Sequence, residues 1–101
     1  MIKILRARCA NDFVIRLEFS DGTFGDYDVA PLLARDTPLT EQLRDPERFQ
    51  RFFIDLGALC WPNGLELSPG AIHARLRDAG ALRSQSSVRE HEQPQARRAH
   101  C

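Results

Sequence analysis

Between Phe13 and Phe19 the chain alternates cleanly: Phe13, Ile15, Leu17 and Phe19 share one side, and Arg16 and Glu18 take the other. That two-residue period belongs to a strand with one buried face. Ser20-Asp21-Gly22 follows and reverses the chain, and the sequence decides how the returning strand is aligned. A two-residue Asp-Gly loop would set Leu17 opposite Asp26 and Ile15 opposite Asp28, carrying two carboxylates onto the buried face without partners. A three-residue loop, with Gly22 in the left-handed conformation, sets Leu17 opposite Gly25, Ile15 opposite Tyr27 and Phe13 opposite Val29. It also places Arg16 across from Asp26 on the outer face. Since a one-residue slip inverts every side chain, the second register is expected.

Upstream, Ile2 to Cys9 alternates with a change of phase after Ile4, which predicts a strand carrying a bulge at the switch. Ala10-Asn11-Asp12 has turn composition. Downstream of the hairpin the signals shorten. Pro31 opens a turn of helix holding Leu32 and Leu33, Thr37-Pro38 breaks it, and Leu39 and Leu43 anchor another. Asp45-Pro46-Glu47 combines a cap residue, a proline at the first helical position and an acid in the first turn. The helix it starts would carry Phe49, Phe52 and Phe53 at i, i+3 and i+4 as one aromatic stripe against the sheet.

Ile54 and Leu56 predict a short strand, Gly57 a turn, and Ala58 to Trp61 another strand. Pro62-Asn63-Gly64 ends it, because proline has no amide to donate and Asn-Gly tolerates positive φ. Ser68 then caps a helix with Pro69 at its first position; Ile72, Leu76 and Ala79 face inward and Gly80 stops it.

A domain over residues 1–80 with a polar, disordered tail over 81–101 is therefore expected, since beyond Leu82 only Val88 is a sizeable apolar residue. About 80 residues bury only about 60% of their unfolded surface, so self-association as a homodimer would help. Lysine plus arginine and aspartate plus glutamate both total 14. That balance gives no electrostatic case for nucleic acid, and two adjacent arginines, Arg97 and Arg98, do not supply one. No apolar run reaches the roughly 18 residues of a membrane span, and no secretory signal is expected. Cys9, Cys60 and Cys101 form an odd set without CxxC spacing, which reads as reduced thiols in a cytoplasmic protein.

Phe19-Ser20-Asp21-Gly22, the following Asp28-Val29, Leu43 with Asp45 and Phe49, and the run Trp61-Pro62-Asn63-Gly64-Leu65-Glu66-Leu67-Ser68-Pro69 together resemble the small bacterial DUF2442 family. The resemblance covers about residues 2 to 77 and implies an α+β fold, a small antiparallel sheet with two to three short helices packed on one face. It also implies company: relatives occur alone, ahead of a helix-turn-helix domain, or encoded beside small uncharacterised proteins in arrangements like toxin and antitoxin pairs. The chain departs from the family pattern at Gly70, usually acidic, and at His73, where a tyrosine often stands.

No constellation of residues predicts catalysis, a metal or a cofactor. Asp21, Asp26, Asp28 and Glu66 are the carboxylates nearest the motifs, and the expected register leaves them as turn or open-face residues with no histidine placed near them. His91, His100 and Cys101 lack zinc-ligand spacing. Trp61 admits two roles, a flat docking anchor or a ring that closes the core with its indole N–H on a backbone oxygen, and the second is favoured. The expected function is a non-enzymatic protein-binding module, its partner a co-encoded toxin-like protein. Its docking surface would be an exposed edge strand or an apolar patch around Trp61 and Tyr27, and the residues expected to bind the partner are Trp61, Asn63, Glu66, Tyr27 and His73. The competing expectation is a small-ligand-sensing or transcription-regulatory accessory domain with a pocket beside Pro62–Gly64.

Overall fold

The computed structural model of the chain describes residues 1–84. The alternating segments build β1 (Ile4–Asn11), β2 (Val14–Phe19) and β3 (Thr23–Asp28). The loop between β2 and β3 is Ser20–Gly22, with Gly22 at φ 89° and its amide on the carbonyl of Phe19 at 3.1 Å. The expected register is found: Leu17 opposes Gly25, Ile15 opposes Tyr27 and Arg16 opposes Asp26. The Val29 amide extends it by donating to the Phe13 carbonyl at 2.9 Å. In β1 the expected phase change is a break in pairing between Ile4 and Arg6, with a second irregularity between Cys9 and Asn11. Pairing continues to Asn11, so the turn falls later than composition suggested, around Asp12 with its positive φ.

Short helices follow: α1 (Ala30–Leu33), α2 (Pro38–Gln42), α3 (Pro46–Phe49). Each owes its position to a local stop or start. Thr37 and Thr40 form a reciprocal capping box on α2, and the buried Thr40 hydroxyl also donates to the Arg35 carbonyl at 2.7 Å. Arg44 closes the end of α1, its guanidinium donating to the carbonyls of Leu33 and Arg35 at 2.7 and 3.0 Å. Asp45 caps α3 as expected, but the helix stops at Phe49 with Gln50 as its C-cap. The aromatic stripe is therefore broken: Phe49 is buried, Phe52 lies past the helix, and Phe53 opens β4 (Phe53–Asp55) with its ring turned toward solvent. A four-residue helix cannot carry an i+4 neighbour.

β4 pairs with β5 (Ala58–Cys60), which pairs with a two-residue β6 (Glu66–Leu67). These three strands make a second antiparallel sheet beside the first, whose order is β1-β2-β3 followed by the two-residue β7 (Arg83–Ser84) on the far side of β3. Leu56, expected in the strand, forms the β4–β5 turn instead. α4 (Pro69–Asp78) is capped by the Ser68 hydroxyl on the Ala71 amide, and Ile72 and Leu76 are buried. Ala79, expected to face inward, is the exposed C-cap. Paired bonds close the helix, Ala81 N–H to Leu76 at 2.8 Å and Gly80 N–H to Arg77 at 3.0 Å.

The domain runs past residue 80. Ala81 and Leu82 pack on the core, and β7 (Arg83–Ser84) pairs with β3. The rest of the expected tail lies outside the described residues. The result is an α+β domain, with two small antiparallel sheets and four short helices among the described residues. Its core draws Ile15, Leu17 and Phe19 from β2, Leu59 from β5, Ile72 and Leu76 from α4, and Phe49 and Trp61 beside them.

Candidate functional site

The five residues expected to form a docking surface do not lie on one element. Trp61, Asn63 and Glu66 belong to the β5–β6 hairpin; Tyr27 lies on β3 and His73 on α4. Trp61 is 2% exposed and presents no area for docking. Its indole N–H donates to the Phe49 carbonyl at 2.8 Å, and its ring lies 5.8 Å from that of Phe49 and 6.3 Å from that of Phe52. This is the core role, with the polar end of the ring satisfied.

Asn63 is a clamp. Its amide nitrogen donates to the Leu39 carbonyl at 3.1 Å and to Gln42 Oε1 at 3.3 Å, while its oxygen accepts the Leu65 amide at 3.1 Å. The turn that ends β5 is thereby tied to α2, with both ends of the Asn63 side-chain amide engaged in the scaffold. Tyr27 is half-buried, and burial raises its phenol above the ordinary value. Glu66 is exposed on β6, opposite Cys60. Cys60 is a free, buried thiol, pushed up by burial, as suits a small hydrophobe. Cys9, in contrast, is disulfide-bonded, which corrects its reading as a reduced thiol.

One pairing overturns an expectation: a histidine does stand beside a carboxylate. His73 Nε2 lies 2.9 Å from Asp21 Oδ2, joining the first turns of α4 to the β2–β3 loop, and the imidazole meets Phe19 edge-on at 5.1 Å. Asp21 also accepts the Thr23 hydroxyl at 2.6 Å and the Thr23 amide at 3.0 Å, both on Oδ1. The Thr23 hydroxyl bond is the largest reason that Asp21 titrates below its ordinary value, with lesser help from the Thr23 amide and His73. Chemically, such a pair can hold a proton, but nucleophilic catalysis also needs a hydroxyl or thiol on the imidazole. Among the described residues none is hydrogen-bonded to it, and no group of three metal-ligating side chains forms.

The pair is a latch with a pH signature. A carboxylate whose folded value is depressed stabilises the fold above its unfolded value, about pH 4, and that contribution fades as pH falls through the folded value. The effect is modest, because the Asp21 side chain is 38% exposed and solvent screens it. Wild type should exceed Asp21→Asn in urea midpoint at pH 6, with the gap narrowing as pH falls below the ordinary carboxylate value of about 4. A gap of the same size across that range would show that the carboxylate charge is not what matters.

The least satisfied surface lies elsewhere, where the edges of the two sheets meet. The Ile4 amide donates to the Gly57 carbonyl at 2.9 Å, joining the start of β1 to the β4–β5 turn. Past that bond β1 pairs with β2 on one side only, and β4 pairs with β5 on one side only, among the described residues. Between them runs an open groove of about 380 Å³, bordered by Leu5 to Arg8 on one side and Ile54 on the other, with Arg16 and Glu18 of β2 also lining it. Leu5, one of its lining residues, is 61% exposed, and the other large apolar side chains exposed among the described residues are Phe53 at 46% on β4, Leu56 at 91% in the turn after it, and Met1 at the terminus. Leu56 has φ 53° and Gly57 φ 82°, the left-handed pair of a two-residue hairpin loop. For leucine that conformation costs on the order of 1–2 kcal/mol.

Together these features define a class: a small two-sheet α+β domain whose most marked sequence motif ties the scaffold together and whose β1 and β4 edges are each paired on one side only among the described residues. Residues 4–78 match the model of the family described as "Protein of unknown function (DUF2442)", and the chain belongs to that family. No curated protein and no solved structure matched the chain. No described helix is long and apolar enough to cross a membrane.

Proposed function

We propose that the chain is a non-enzymatic protein-binding module, working as one half of a complex with a small protein encoded beside it. The observation that supports this reading is the β1 edge, unpaired on one side among the described residues, with Leu5 exposed on it and Phe53 and Leu56 exposed on β4 and the turn that follows. Unpaired main-chain groups flanked by apolar side chains favour strand addition by a partner, in which the ladder supplies affinity and the side-chain pockets supply choice. A toxin-like partner neutralised in this way is the specific form of the proposal.

The competing reading, a ligand-sensing or regulatory accessory domain, needs a cavity beside Pro62–Gly64. There Asn63 is engaged by α2 and the Trp61 ring is buried, so the motif argues for architecture. The test is a solution mass for the full chain, alone and co-expressed with the product of the adjacent reading frame. A stoichiometric complex is expected. Unchanged mass on co-expression, with no rescue of growth, rejects the antitoxin form, and a homodimer that excludes the neighbour replaces it.

A further inference from the structure

The charge along the β1 edge says what kind of segment fits it. On the outer face Arg6 opposes Glu18 and Arg8 opposes Arg16. Arg16 is already engaged by Asp26 on the next strand, through bonds of 2.7 and 3.1 Å. Arg6 meets Glu18 only at 3.8 Å and is largely exposed. Arg8 therefore faces a like charge across the ladder, an unfavourable arrangement. Among the described residues it has no ion-pair or hydrogen-bond partner of its own.

A second copy of the chain does not relieve this. Two β1 edges paired antiparallel about Ala7, with their outer faces on the same side, set Arg6 of one copy against Arg8 of the other. Pairing about Arg8 sets arginine against itself. Edge charges of this kind repel self-pairing, as they do on many natural sheets. They also attract a strand of the opposite sign.

Resting on the protein-binding reading above, we infer that the groove between β1 and β4 takes an extended acidic segment of a partner protein, added as a strand to the β1 edge. Carboxylates on its outer face meet Arg8 and Arg6, and an aliphatic side chain enters between Leu5 and Ile54. The groove suits this occupant because, among the described residues, it sets the apolar Leu5 and Ile54 beside a cationic flank of Arg6, Arg8 and Arg16.

Nuclear magnetic resonance titration of the ¹⁵N-labelled full chain tests it, with three capped octapeptides that alternate glutamate, glutamine or lysine with threonine and valine. The glutamate peptide should shift the amides of Leu5, Arg6, Ala7, Arg8 and Ile54, and the glutamine and lysine peptides should bind at least tenfold more weakly. N-methylating alternate residues on the pairing side of the glutamate peptide should abolish the shifts, because it removes the ladder donors. Arg8→Glu, an exposed change whose spectrum reports an intact fold, should weaken the glutamate peptide at least tenfold and strengthen the lysine peptide. Equal binding of all three peptides, indifference to N-methylation, or no shift at this edge at millimolar peptide would each overturn the inference. Failure here is separable from failure of the broader reading. If the neighbouring gene product co-purifies equally with Arg8→Glu and wild type, the groove is wrong and the binding module stands. If the glutamate peptide binds as described while that product never co-purifies, the groove stands and that partner is wrong.

Discussion

Trp61→Ala should remove about 3–5 kcal/mol of folding stability, the range for emptying a buried aromatic site. A domain of this size commands on the order of 5–10 kcal/mol in total. The variant should therefore lose roughly half or more of its stability and unfold at a much lower urea concentration than wild type. The reason lies in what the ring joins. It sits at the end of β5, contacts Phe49 and Phe52, and donates to the backbone of α3 through its indole nitrogen. Phe49 in turn meets Phe13 edge-on at 5.0 Å, so the loss is felt at the start of β2. Trp61→Phe divides the two contributions. It keeps most of the ring contacts and strands the Phe49 carbonyl, which should cost about 1–3 kcal/mol. Urea denaturation of both variants measures the split. A Trp61→Ala midpoint close to wild type would mean that the hairpin is peripheral to the core.

The hairpin was legible because two independent signals agreed. Alternation from Phe13 to Phe19 chose the buried face, and the cost of burying Asp26 and Asp28 chose the loop length. The caps at Asp45 and Ser68 were also accessible, since capping is decided by four or five adjacent residues. Thr37 was expected only as a break, yet the same Thr-Pro pair that ends one helix starts the next. Errors appeared where the deciding contact is distant or the element is too short to have a period. β6 and β7 have two residues each and exist only because β5 and β3 offer edges. The aromatic spacing at Phe49, Phe52 and Phe53 matched a helix, but the chain leaves the helix at Gln50, so the spacing carried no information about faces.

The candidate site was less legible than the fold, for a related reason. His73 and Asp21 are 52 residues apart, and their meeting depends on how α4 crosses the first sheet. The groove depends on the edges of two sheets lying side by side, whereas the strand signals in the sequence point to a single sheet. Residues that drew attention by rarity, Trp61 and Asn63, proved to be joints of the scaffold. Arg8 and Leu5, unremarkable in the sequence, acquire meaning only because β1 is an edge with Arg16 opposite.

Gly25→Val is expected to destabilise the fold by about 2 kcal/mol, although local preference alone predicts a gain. Gly25 lies inside β3 with a negative φ, where valine is the better strand residue by up to about 1 kcal/mol. The position is buried, opposite Leu17, and the missing side chain is what lets the end of α4 settle onto the sheet. A Cβ there would stand 2.8 Å from the Ala81 carbonyl oxygen and 3.3 Å from Leu76 Cδ1. The Leu76 methyl can swing aside. The carbonyl cannot, because Ala81 is fixed by its own amide bond to the Leu76 carbonyl and leads directly into β7. Overpacking against backbone costs roughly 1–3 kcal/mol, sometimes more, so it outweighs the local gain. Hydrogen exchange locates the damage: protection should fall first at Ala81 to Ser84 and the last turn of α4, while Ile15 and Leu17 keep theirs. A Gly25→Val protein at least as stable as wild type, with β7 protected, would mean that α4 can sit farther from β3 at no cost.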